Sequence, residues 1–174
     1  MQDLSYPIGK AVFVENLTPS DRQALIAEFE LAPAQLRGAV EGLTAAQLDT
    51  PYRPGGWTIR QVVHHLPDSH SNGYVRTKLT LTEDSPVIKP YDENAWAHLE
   101  DSTFPLDLPL IHFDAVQARW AALWKTIQGA QWQLTYVHPQ YNTHYSLDFC
   151  LQLYAWHGKH HVAHVTSLKR RLSW

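Results

Sequence analysis

Cysteine is nearly absent: Cys150 is the only one among 174 residues. A lone thiol forms no intrachain disulfide, and its scarcity fits a reducing cytoplasm. No apolar run approaches bilayer-spanning length, and the opening MQDLSYPIGK is no signal peptide. Charge of one sign is not in excess either. A formal net charge of -3 gives no electrostatic argument for nucleic acid or an anionic membrane. A small-molecule partner is expected instead. Repeats, low-complexity tracts and linkers are missing, so residues 1–174 read as one domain.

What remains is a globular composition, 44% apolar and 18% charged, which excludes a disordered chain. Residues 1–17 lack helical period and read as an extended arm. Thr18-Pro19-Ser20-Asp21 starts a first helix, which Pro33 should kink or break near Leu31-Ala32. Thr44 caps a short turn, and the Pro- and Gly-rich stretch 50–56 is a loop. Thr58 and Gln61 form a capping box that opens a second long helix at Ile59. Residues 85–91 are extended, 92–99 a short helix around Trp96, and 100–109 a loop. Leu110, Phe113, Val116, Trp120, Leu123 and Ile127 mark a third long helix over 109–128. Residues 129–145 break into β-like fragments. Ser146 caps a last helix running to the C-terminus. These elements predict an all-α four-helix bundle with long connections and a minor β-like segment.

Histidine is abundant, at 11 residues, and grouped. His157, His160, His161 and His164 crowd the last helix. Residues four apart share a helical face, so His160 with His164, or His157 with His161, can reach one divalent ion. The glutamate of a His-Glu-x-x-His protease is missing. A third ligand therefore comes from a facing helix, where His64 and His65 lie about 100° apart and only one can face a site. A His65, His160, His164 triad gives three neutral ligands with a position left for water, the pattern of catalytic zinc. A dication there activates water near neutral pH, and would equally ionise a thiol. Asp68 is a candidate to orient a ligand or accept a proton. His157 and His161 are expected behind the ligands or at the surface. Trp57, Trp120, Trp124 and Trp156 are expected as core or pocket wall. Arg60 and Arg76 suit a planar anion or surface ion pairs. Cys150 reads as a small buried residue.

The segment 51–66 (PYRPGGWTIRQVVHHL), with Asp68-Ser69-His70, closely resembles the YfiT-like members of the DinB superfamily. So do Leu4-Ser5-Tyr6-Pro7-Ile8-Gly9, Pro90-Tyr91-Asp92-Glu93, Ala95-Trp96, and Trp156-His157 with His160-His161 and Ala163-His164. The resemblance spans nearly the whole chain. It implies a four-helix bundle, a homodimer and a divalent metal, zinc or nickel, held by His65, His160 and His164. It further implies a metal-dependent hydrolase. Relatives in the wider superfamily are S-transferases, or isomerases, that use a low-molecular-weight thiol such as bacillithiol or mycothiol as co-substrate. Two departures stand out. Pro67 replaces a small residue just past His65, and Lys159 replaces a histidine found in some relatives. Three functions stay open: a hydrolase that activates water, a thiol S-transferase, and a non-catalytic metal-binding stress-response bundle.

Overall fold

Thr18, Thr44, Thr58 and Ser146 each stand just before a helix and accept a hydrogen bond from the backbone N–H three residues on. At the three threonines the partner side chain bonds back, completing capping boxes. These caps start α1 (Pro19–Val40), α2 (Ala45–Leu48), α3 (Ile59–Thr82) and α6 (Leu147–Leu172) in a computed structural model that describes residues 3–174. Met1 and Gln2 of the expected arm lie outside the described residues. A short α4 (Glu93–Trp96) and α5 (Asp107–Trp124) complete the helices. Strands β1 (Thr135–His138) and β2 (Thr143–Ser146) pair antiparallel, with Tyr136 opposite Tyr145. The hairpin leads straight into α6.

Three expectations need correcting. The third helix stops at Trp124 rather than 128, and Gly129–Gln133 is a 3-10 turn rather than β-like. Residues 100–109 are not all loop: Glu100–Thr103 is a 3-10 turn and α5 already begins at Asp107. Pro109 fits because it falls in the first turn, where an N–H has no intrahelical acceptor. Nor does Pro33 break α1, which runs unbroken from Pro19 to Val40. A proline leaves the carbonyl four residues back without its donor. Here that carbonyl belongs to Phe29, and the Gln117 side chain of α5 donates to it at 2.9 Å. The lost helical bond is replaced from a neighbouring helix.

The main packing partners are α1 with α6 and α5, and α3 with the same two. Around the bundle the order is therefore α1, α6, α3, α5, and the successive long helices α1 and α3 occupy opposite corners. One apolar cluster gathers Phe29, Trp120, Trp124, Tyr136, Leu147 and Leu151, and another Leu36, Ile59, Val62, Leu66, Phe113 and Val165. Each such side chain contributes about 1.5–3 kcal/mol on burial. Gly73 lets α3 approach closely: a Cβ there would lie 2.3 Å from Trp120 and 2.5 Å from Tyr154.

The arm is held along α6. Gln152 accepts from the Val14 N–H at 2.8 Å and donates to the Val14 carbonyl at 3.1 Å. Phe13 packs on Phe149, 4.4 Å between ring centres. At the base of α6, buried Asp148 takes two hydrogen bonds from Arg22 of α1, both 2.7 Å. The arm, the 50–58 loop, α3 and α6 thereby meet at one cavity.

Candidate metal centre

The cavity holds about 570 Å³. His65 projects into it from the second turn of α3, while its neighbour His64 turns away to the Phe104 carbonyl, 3.1 Å distant. From α6 come His157, His160, His161 and His164. The loop supplies Tyr52 and Trp57. Gly55 takes a positive φ of 67°, and Tyr52 donates its N–H to the Trp57 carbonyl at 3.0 Å. This tight turn brings Trp57 to 4.7 Å from the His65 ring and stacks Tyr52 on His164 at 3.9 Å. Both side chains wall the site, as expected for Trp57.

Three of these imidazoles converge. His65, His157 and His161 place a ring nitrogen each within 4.8 Å of one another. The His157 Nε2 lies 3.4 Å from the His65 Nε2 and 3.2 Å from the His161 Nε2. A tetrahedral ion with bonds of 2.0–2.1 Å separates its ligands by about 3.3 Å. The donor set therefore fits a divalent metal, and does so with His157 and His161, which had been expected outside the ligand set. The expected ligands His160 and His164 line the same cavity, their ring centres 4.3 Å apart and 5.0 and 5.2 Å from that of His161. His160 is sandwiched beside Trp156 at 4.2 Å and faces Tyr6, with its Nδ1 buried and unpartnered. His164 stands behind His161, Nδ1 to Nδ1 at 3.4 Å. Burial does not separate these positions, since His160, His161 and His164 are all buried on α6.

Burial also keeps the cluster neutral. Desolvation lowers the pKa of His65, His160 and His164 to about 4 and of His70 to about 3. It pushes His157 and His161 well below the usual histidine range, reinforced by their histidine neighbours. A neutral imidazole carries one N–H, so hydrogen-bond direction is fixed wherever a chain ends on a carbonyl, which only accepts. Gln117 donates to the Phe29 carbonyl through Nε2, leaving Oε1 as acceptor. His70 Nδ1–H then donates to Gln117 Oε1 at 2.9 Å. The bare His70 Nε2 accepts from His157 Nδ1–H at 3.2 Å. His157 Nε2 is left with a lone pair aimed at the trio. A second chain ends on the Ser5 carbonyl, which accepts from His164 Nε2–H at 3.2 Å. His164 Nδ1 then accepts from His161 Nδ1–H, and His161 Nε2 is likewise bare. Both α6 nitrogens are deprotonated at the atoms that face inward, as metal ligands must be.

The other candidates separate cleanly. Asp68 forms no described hydrogen bond with the histidines; burial and the nearby Asp101 charge raise its pKa to about 6. Ser69 and Arg76 line the cavity, whereas Asn72 bonds to the Asp68 carbonyl. Arg60 pairs with Asp49 at 2.7 Å. Trp120 and Trp124 are core. Cys150 is fully buried, its thiol pushed up to about 12 by desolvation, so it is no nucleophile. Sequence reasoning missed His70 and Gln117. The signal was present: Gln117 interrupts the buried α5 stripe Leu110, Phe113, Gln117, Trp120 and Trp124.

Comparison with known proteins agrees with this architecture. A family model described as the DinB superfamily matches residues 28–165. A Bacillus mycoides protein, strain KBAB4, is 47% identical over 174 residues, all of both chains. A Bacillus cereus protein, strain B4264, is also 47% identical over the full length of both. Each is named a "putative metal-dependent hydrolase". The solved structure of YfiT from Bacillus subtilis superposes with a TM-score of 0.96 at 46% identity, covering 98% of each chain. It is described as a "probable metal-dependent hydrolase with an unusual four-helix bundle topology".

Proposed function

This chain belongs to the DinB superfamily, and we propose that it is a metal-dependent hydrolase whose ion is held by His65, His157 and His161. The observation that carries the reading is the convergence of three neutral imidazoles, two with their inward nitrogens stripped of protons by chains ending on Phe29 and Ser5. Three imidazoles suit zinc, with nickel the alternative. A dication so held supplies a Lewis acid and water activated near neutral pH. The chain's own residues do the rest. His70 and His164 orient the α6 ligands. Trp57 and Tyr52 close the wall over them and limit solvent. The low pKa values of the trio keep protons from competing for the ligand nitrogens at neutral pH.

The deciding experiment compares zinc-loaded and chelated protein on panels of esters and amides. A parallel arm offers a low-molecular-weight thiol with an electrophile. Hydrolysis that is lost on chelation and restored by zinc is the expected result. Turnover only with added thiol would replace hydrolysis by thiol transfer, and a bound ion without any turnover would leave a structural bundle. We also propose a homodimer in the cytoplasm. Exposed Phe104, Leu108 and Ile111 near the start of α5 support the dimer, and a monomer by light scattering would overturn it.

A further inference from the structure

Five ion pairs form among the described residues, and Arg76 takes part in none. Its guanidinium has no described hydrogen-bond partner, and its Nε is shielded from solvent. Yet it lines the same cavity as the histidine trio. Its charge acts on Tyr91, Tyr136, His138, Cys150 and Tyr154. None of these is anionic near neutral pH: burial raises the pKa of each tyrosine and of the thiol, and lowers that of His138. The cavity's one carboxylate, Glu93, is exposed and forms no described ion pair with Arg76. His138 adds a second shielded atom without a partner, Nδ1, in the cavity lining. A half-buried guanidinium that faces a cavity commonly pairs with an anion. This one has space in front of it instead.

We propose that Arg76, with His138 beside it, seats a carboxylate of the substrate while the reacting group lies at the His65, His157, His161 trio. The guanidinium fork matches a planar carboxylate with two parallel hydrogen bonds. Position along α3 sets the spacing. His65 and Arg76 share a face and are eleven residues apart, about 16 Å along the axis. The carboxylate is thus remote from the bond that is cut, and the substrate is an elongated carboxylic acid derivative rather than a small ester or amide. The reading rests on the proposed metal site for the identity of the reacting end.

Calorimetric titration of the zinc-loaded protein tests it with hexanoate, hexanamide and inorganic phosphate as probes at constant ionic strength. Hexanoate is expected to bind saturably and hexanamide at least about tenfold more weakly, given the worth of a charge-assisted bond. Arg76→Gln should weaken hexanoate by a similar factor. Arg76→Lys, which keeps charge and bulk, should retain part of the affinity and guards against a misfolded variant. Arg60→Gln should bind as the parent does. His161→Ala should keep an Arg76-dependent hexanoate site, separating it from carboxylate binding at the ion. Equal hexanoate affinity in Arg76→Gln, no saturable binding, or equal binding of hexanamide would overturn the proposal. Tighter phosphate binding would overturn the carboxylate assignment. Zinc content is read on the same samples. Full zinc with Arg76-independent hexanoate binding defeats this inference alone, whereas a parent protein without zinc defeats the metal site.

Discussion

At the scale of single residues, the site depends on two side chains that never touch the proposed ion. Gln117 and His164 each pass a backbone carbonyl's demand for a proton on to a ligand. Replacing Gln117 by Leu leaves the Phe29 carbonyl and His70 Nδ1–H unsatisfied and frees the His157 tautomer. Zinc affinity should fall roughly 10–100-fold, the usual cost of losing an orienting partner, while stoichiometry at saturating zinc stays full. Competition against a chromophoric chelator measures this; an unchanged affinity would mean that the chain does not set the tautomer. Protonation supplies a second expectation. Four of the six cluster histidines titrate near 4 or 3 when folded, His157 and His161 are pushed well below the usual histidine range, and all six return to near 6.5 when unfolded. Between those values the unfolded chain binds more protons, so metal-free stability should drop as pH falls from about 6.5 toward 4. Asp68 acts oppositely, losing stability as pH rises from 3.8 to about 6, but it is one half-buried group against six. A melting temperature that is flat or rising on acidification would contradict the buried, neutral cluster.

At the scale of elements, packing decides what local pattern leaves open. The caps at Thr18, Thr44, Thr58 and Ser146, the Pro-Gly loop, the β-like fragments before the last helix and that helix itself were all legible, because each is written in consecutive residues. His65 over His64 needed only the 100° step of a helix. The α6 ligands needed more. His157 with His161 and His160 with His164 have identical spacing, and only the rotation of α6 distinguishes them. Pro33 misled because the replacement donor, Gln117, is distant in sequence. Two variants probe the packing. Gly73→Ala forces a methyl against Trp120 and Tyr154 and should cost about 1–3 kcal/mol. Asp148→Asn leaves the half-buried Arg22 without its counter-charge and should cost about 1–3 kcal/mol. Denaturant titration reads both, and losses within a few tenths would show that the α3 and α1–α6 contacts are looser than drawn.

At the scale of the whole molecule, the cavity is the meeting place of segments far apart in sequence. The arm gives Ser5 and Tyr6, the loop Tyr52 and Trp57, α3 His65 and Arg76, β1 His138, and α6 the remaining histidines. No helix among the described residues is long and apolar enough to cross a membrane. The bundle order that puts α1 and α3 on opposite corners lets α3 and α6 face each other, and the ligand set follows from that pairing. Zinc stoichiometry of the single alanine variants, by equilibrium dialysis and elemental analysis, tests this most directly. His65→Ala, His157→Ala and His161→Ala should each lose most of the bound zinc. His160→Ala should keep it, and His164→Ala should keep it at saturation with weakened affinity. Full zinc in His157→Ala together with loss in His160→Ala would contradict the assignment.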